Sequence, residues 1–115
     1  MCNSAAHNSR PGRESLKKRL GKRVVRAIEA RDGGVCAYCG RDAAESGAHL
    51  HLDHLTPKAV GGTDDPRNLV SACRRCNSAR QDLSLAQWAA YAAVKFGLTF
   101  SARAVRAHAR NLKID

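Results

Sequence analysis

Residues 36–80 read CAYCGRDAAESGAHLHLDHLTPKAVGGTDDPRNLVSACRRCNSAR. Two cysteine pairs bound the stretch, Cys36-x-x-Cys39 and Cys73-x-x-Cys76. Thiolates three residues apart on a tight turn can reach one ion, and two such turns complete a tetrahedron. Four protein sulfurs leave no open coordination position, so the spacing predicts a structural zinc rather than a catalytic one. Free thiols or a redox pair are the bland alternative. The 33 residues between the pairs exceed what a simple zinc ribbon holds. Something substantial is inserted between the two knuckles, and the metal ties the segment before it to the helix after it.

Within the stretch, VCAYCGRD (35–42) reads as a tight turn carrying the first pair. AHLHLDHL (48–55) alternates apolar and polar residues over a strand's length. TPKAVGGTDDPRN (56–68) is rich in Pro, Gly and Asp and reads as a loop. Leu69 and Val70 begin a second short strand, and Cys73 to Asp82 has helix formers and no breaker. His49 and His51 alternate with Leu50 and Leu52, which favours histidines facing solvent over histidines lying near the metal.

The ordered set Cys36, Cys39, Asp53, His54, Leu55, Pro57, Gly61, Gly62, Asn68, Leu69, Cys73, Cys76 and Asn77 resembles the four-cysteine branch of the HNH nucleases over residues 36–80. The resemblance implies an α+β fold: a small ββα-metal (His-Me finger) domain stapled by the four-cysteine zinc, with the helices at both ends lying outside the match. It implies a metal-dependent endonuclease that hydrolyses phosphodiester bonds in DNA. His54 is then the general base that takes a proton from water, as an imidazole near neutral pH can. Asp53 and Asn77 offer a carboxylate and a carbonyl oxygen, which suit a hard cation such as Mg²⁺ or Mn²⁺. Asn68 holds the loop between the strands and orients the base, without being a metal ligand. One departure is visible: the family often has lysine where this chain has Arg80, and a positive phosphate contact is expected there all the same. Adjacent residues of a regular strand face opposite ways, so the cooperation of Asp53 with His54 is implied by the resemblance alone.

Outward from this stretch the chain is basic. Its 115 residues carry a net charge of +10, which favours a polyanionic partner through Coulomb attraction and counterion release. Residues 1–12 are polar and read as a disordered arm holding the unpaired Cys2. Residues 13–31 predict one helix with an apolar stripe of Leu16, Leu20, Val24 and Ile28, stopped by Asp32-Gly33-Gly34. That helix and the match form a unit over 13–83. A helical extension over 84–115 packs on or beside it, with Ser84 and Ser101 as N-caps and Gly97 as a stop. Leu85, Trp88, Ala89, Ala92 and Phe96 make one apolar face, and Ala102, Val105, Ala109 and Leu112 another. Lys17, Lys18, Lys22 and Arg23 on the first helix, and Arg103, Arg106 and Arg110 on the last, are the expected contacts to double-stranded DNA.

Aromatics make up 4% of the chain, so the core is thin and an added cross-link is expected. No apolar run is long enough for a membrane span or a signal peptide, which points to a reducing compartment; the resemblance implies the cytoplasm of a bacterial or phage-infected cell. Two other functions fit the same residues. A catalytically silent, zinc-stapled DNA-binding module would keep the cysteines and the basic helices. A subunit docking on a larger nuclease or DNA-packaging complex would use the apolar faces around Trp88 and Phe96.

Overall fold

The computed structural model describes residues 15–47 and 49–114, with Ser46 described by its backbone alone. The expected arm over 1–12, with Cys2, lies outside the described residues. In chain order the elements are α1 (Leu16–Leu20), α2 (Lys22–Asp32), α3 (Ala43–Ser46), β1 (Leu50–His54), β2 (Leu69–Cys73), α4 (Arg74–Arg80), α5 (Leu85–Phe96) and α6 (Ala102–Arg110). Short 3-10 turns at Lys58–Val60 and Pro66–Asn68 give the β1–β2 loop a structure of its own. The two strands are antiparallel, with Leu50 opposite Cys73 and His54 opposite Leu69. No helix among the described residues is long and apolar enough to cross a membrane.

The single N-terminal helix expected from the four-residue stripe is two helices. Gly21 sits at φ 90° and ψ 158°, a conformation open to glycine and not to L side chains, and the chain turns there. The stripe survives the break. Leu16, Leu20 and Val24 pack around buried Ile28, Leu69 and Leu112. Glycine costs a helix only about 1 kcal/mol, so the spacing of apolar residues did not betray the turn.

The remaining local signals are found where the residues place them. Gly33 closes α2 in the left-handed region at φ 66°. Ser84 and Gln87 form a reciprocal cap at the start of α5, and Ser101 caps α6. The faces around Trp88 and Val105 meet the back of the sheet in one core with Cys36, Tyr38, Leu55, Val70 and Ala72. Trp88 is fully buried, and its ring meets Tyr38 edge-on at 5.6 Å between centroids. The apolar face around Trp88 and Phe96 is therefore spent on the protein's own core. Tyr91 and Val94 of the same helix stay exposed.

Two buried ion pairs join elements far apart in sequence. Asp32 accepts from the backbone N–H of Ser71 at 2.8 Å and from His108 Nε2 at 2.7 Å. Burial alone would raise the Asp32 carboxyl; the hydrogen bonds from Arg31 and Ser71 outweigh it and hold the group low. Arg31 bridges Asp32 to the carbonyls of Leu69 at 2.6 Å and Ala109 at 2.8 Å. This junction locks α2 and α6 onto β2.

The second pair is Asp53 with Arg80, on facing elements β1 and α4. Arg80 is 1% exposed, and its guanidinium donates to Asp53 Oδ2 at 2.7 Å, Leu55 O at 2.6 Å and Leu83 O at 3.1 Å. Arg80→Met is expected to cost about 3–5 kcal/mol, because it strands a buried carboxylate. Arg80→Lys should cost less, since an ammonium keeps the charge but cannot span all three acceptors. Urea unfolding of the three proteins side by side checks both; equal midpoints would mean the guanidinium supports nothing.

Candidate functional site

The first knuckle is held by backbone. Cys36 N–H donates to Arg41 O at 2.9 Å, Gly40 N–H returns to Cys36 O at 3.0 Å, and Ala37 N–H reaches Ser71 O on β2 at 2.8 Å. The second knuckle straddles the junction of β2 and α4: Cys73 ends the strand and caps the helix, and Cys76 lies in the first turn. The four Sγ atoms all lie within 4.8 Å of one another, with Cys39 and Cys73 at 3.7 Å. A tetrahedral ion at Zn–S distances of about 2.3 Å sets its sulfurs roughly 3.8 Å apart, so the four cysteines are in position to hold zinc. The Cys76 thiol hydrogen-bonds Cys36, which pulls Cys36 down to about 4 and pushes Cys76 up. Four thiolates this close need a cation to coexist.

Asp53 points into the seam between β1 and α4. Its Oδ2 accepts from Arg80 and from the Tyr38 hydroxyl, and among the described residues nothing hydrogen-bonds Oδ1. Burial, and then the charge of Asp53, push the Tyr38 hydroxyl well above the usual phenol range, so it stays a donor. Asn77 lies on α4 three residues before Arg80. It lines a recess with His51, His49 and Leu16, and its carboxamide makes no hydrogen bond among the described residues. Asp53 pairs with Arg80 of α4, and Asn77 stands three residues earlier on that helix; among the described residues no hydrogen bond joins Asp53 and Asn77. A hard cation fits the donor chemistry. It would share the Asp53 carboxylate with Arg80.

His54 ends β1 and turns the other way. Its Nε2 lies 2.8 Å from Asp64 Oδ1, in the loop. Asp64 also receives Arg19 of α1 at 3.1 Å and Lys58 at 3.3 Å. The hydrogen bond from His54, and then those from Arg19 and Lys58, hold the Asp64 carboxyl well below the usual carboxylate range.

The loop that delivers Asp64 is closed by Asn68. Its side chain accepts from Thr56 N–H at 2.9 Å and donates to Thr56 O at 3.1 Å and Thr63 O at 2.9 Å. Gly62 is needed for the same closure: a Cβ there would stand 1.7 Å from Thr56 O. Asn68 pins the loop and does not itself touch the imidazole.

Two sequence expectations change, and two residues of the site were missed. Arg80 is buried with its donors engaged, so it is not a phosphate contact. Nothing in its context distinguished it from its basic neighbours Arg74 and Arg75, which are exposed. His51 is half-buried, with its ring 4.8 Å from that of His49, rather than turned fully to solvent. Desolvation, then the neighbouring His49, keeps it low. Asp64 and Tyr38 belong to the site and were not singled out. The Gly-Gly-x-Asp run reads as turn chemistry, and a tyrosine between two ligand cysteines reads as packing.

The basic residues divide as well. Lys18, Lys22, Arg23, Arg103 and Arg110 are exposed. Lys17 donates to Leu50 O at 3.2 Å, and Arg106 reaches the Thr56 hydroxyl at 3.3 Å, at the entrance to the loop that follows His54.

The HNH endonuclease family matches residues 36–83, a span that holds the cysteine cluster, both strands, Asp53, His54, Asn68 and Asn77. Over these residues the chain is similar to an HNH endonuclease domain. The flanking helices lie outside this HNH match. A 55-residue stretch, 47% of the chain, is 40% identical to the CRISPR-associated endonuclease Cas9 of Corynebacterium diphtheriae. The chain spans only 5% of the length of that relative. No solved structure matches the chain. The two matches support a nuclease acting on nucleic acid.

Proposed function

We propose that this HNH protein is a DNA endonuclease with His54 as its general base and a Mg²⁺ or Mn²⁺ ion on Asp53 and Asn77. The observation that carries the reading is the position of His54. It stands at the end of β1, partly exposed, among the cations Arg19 and Lys58 that a phosphate would meet. A water oxygen attacks phosphorus, its proton passes to the imidazole, and the bond from phosphorus to the leaving oxygen breaks. A divalent cation, when bound, supplies positive charge to the phosphate and to the leaving oxygen. Asp53 and Asn77 contribute hard oxygens for it, and Asn68 keeps the loop closed over the base. The four cysteines hold zinc as a structural staple.

The Asp53–Arg80 pair favours the second reading, a silent binding module, because the carboxylate's charge is already matched. Incubating supercoiled plasmid with the protein separates the two. Relaxed or linear product with Mg²⁺ or Mn²⁺, suppressed by EDTA, is expected; shifted but intact plasmid would leave only binding.

Phosphate contacts from the flanking helices are the proposed source of affinity. Changing Arg103, Arg106 and Arg110 together to Ala should weaken binding broadly and flatten its dependence on log[salt]. Each lost phosphate contact lowers the slope by about 0.9. Fluorescence anisotropy across a salt series reads the slope. An unchanged one would assign these arginines to solubility, and Lys18, Lys22 and Arg23 can be examined in the same way.

A further inference from the structure

We infer that Asp64 is the positioning residue for His54: its carboxylate fixes the imidazole with the hydrogen on Nε2, leaving Nδ1 bare as the proton acceptor. The inference rests on the reading of His54 as the base.

The geometry carries it. An ionised carboxylate can only accept, so a neutral imidazole 2.8 Å from Asp64 Oδ1 must place its hydrogen on Nε2. Asp64 is not occupied by turn building. The neighbouring Asp65 takes that work, accepting from Arg67 N–H at 2.8 Å at the head of the 3-10 turn. The Asp64 carboxylate instead faces three donors from three places: His54 at the end of β1, Lys58 in the loop, and Arg19 on α1. Asn68, by tying Thr63 O to Thr56, returns the loop so that Asp64 stands over His54. Orientation of the base therefore runs from Asn68 through the loop to Asp64. Arg19 supports it from a helix outside the HNH match.

The test compares Asp64→Ala, Asp64→Asn and His54→Ala with wild type, with zinc bound. Imidazole ¹H–¹⁵N correlation spectra are recorded without DNA or added Mg²⁺. A slowly exchanging His54 Nε2–H signal is expected in wild type, retained in Asp64→Asn, whose amide oxygen can still accept, and lost in Asp64→Ala. In plasmid cleavage, Asp64→Ala should lower kcat roughly 10- to 100-fold with KM for DNA nearly unchanged, and Asp64→Asn should recover part of the rate. A slowly exchanging signal that persists in Asp64→Ala overturns the inference. So does wild-type cleavage by Asp64→Ala beside an inactive His54→Ala. If His54→Ala itself cleaves normally, the base reading fails, and the spectra still decide whether Asp64 holds the ring.

Discussion

Cys73→Ser is expected to yield a chain that binds no zinc and does not fold cooperatively. Structural zinc contributes about 10–16 kcal/mol of apparent binding free energy in small domains. A whole domain is stable by only about 5–15 kcal/mol. The loss of one ligand thus compares with everything the fold has. Cys73 is also the worst place for it, being 1% exposed, the last residue of β2 and the cap of α4. Serine is nearly isosteric, so a folding defect would report on the metal and not on packing. Native mass spectrometry gives the zinc content and circular dichroism the unfolding transition. A folded, metal-free variant with the wild-type midpoint would show that the cysteines act as ordinary core residues.

The second large effect is kinetic. His54→Ala should cut the rate of metal-dependent cleavage by about 10²–10⁴-fold, the usual cost of removing a general base. Zinc content, the unfolding midpoint and DNA affinity should stay near wild type. The side chain is 21% exposed and belongs to neither core cluster, so its removal leaves no cavity. Asp53→Ala is a less clean comparison. It strands the Arg80 guanidinium in the interior, and lost activity there would mix metal binding with unfolding. Asn77→Ala, whose side chain supports no hydrogen bond among the described residues, isolates the proposed cation site better. His49→Ala serves as a control and should cleave normally. Cleavage by His54→Ala at the wild-type rate would leave the silent binding module as the better account.

Much of this was legible because local chemistry wrote it into short patterns. The cysteine pairs, the alternation over β1, the caps at Ser84 and Ser101 and the stop at Gly33 each require a particular residue type at a particular spacing. What stayed hidden depends on three-dimensional convergence. Gly21 turns the chain without disturbing the apolar stripe. Arg80 looks like one more surface cation until Asp53, Leu55 O and Leu83 O are seen to meet around it. Asp64 becomes the partner of His54 only because Asn68 folds the nine intervening residues of loop back on the strand. Tyr38 enters the site from the zinc knuckle, 15 residues before the aspartate it serves.

The Arg31–Asp32 junction bears on how such a unit could be transplanted. A cassette cut at residues 36–83 would carry Leu69 and Ser71 of β2 but leave behind the guanidinium and the carboxylate that satisfy them. It would also lose the α6 turn at His108 and Ala109, which closes on the same pair. A host protein receiving the graft would have to offer an equivalent clamp, or tolerate a strand whose inner edge is short of partners. A portable piece of this chain therefore reaches beyond Arg31 and Ala109, to take in Ile28 and Leu112, which pack on Leu69. Recombination at tidier boundaries would move the chemistry without the scaffold that keeps it rigid.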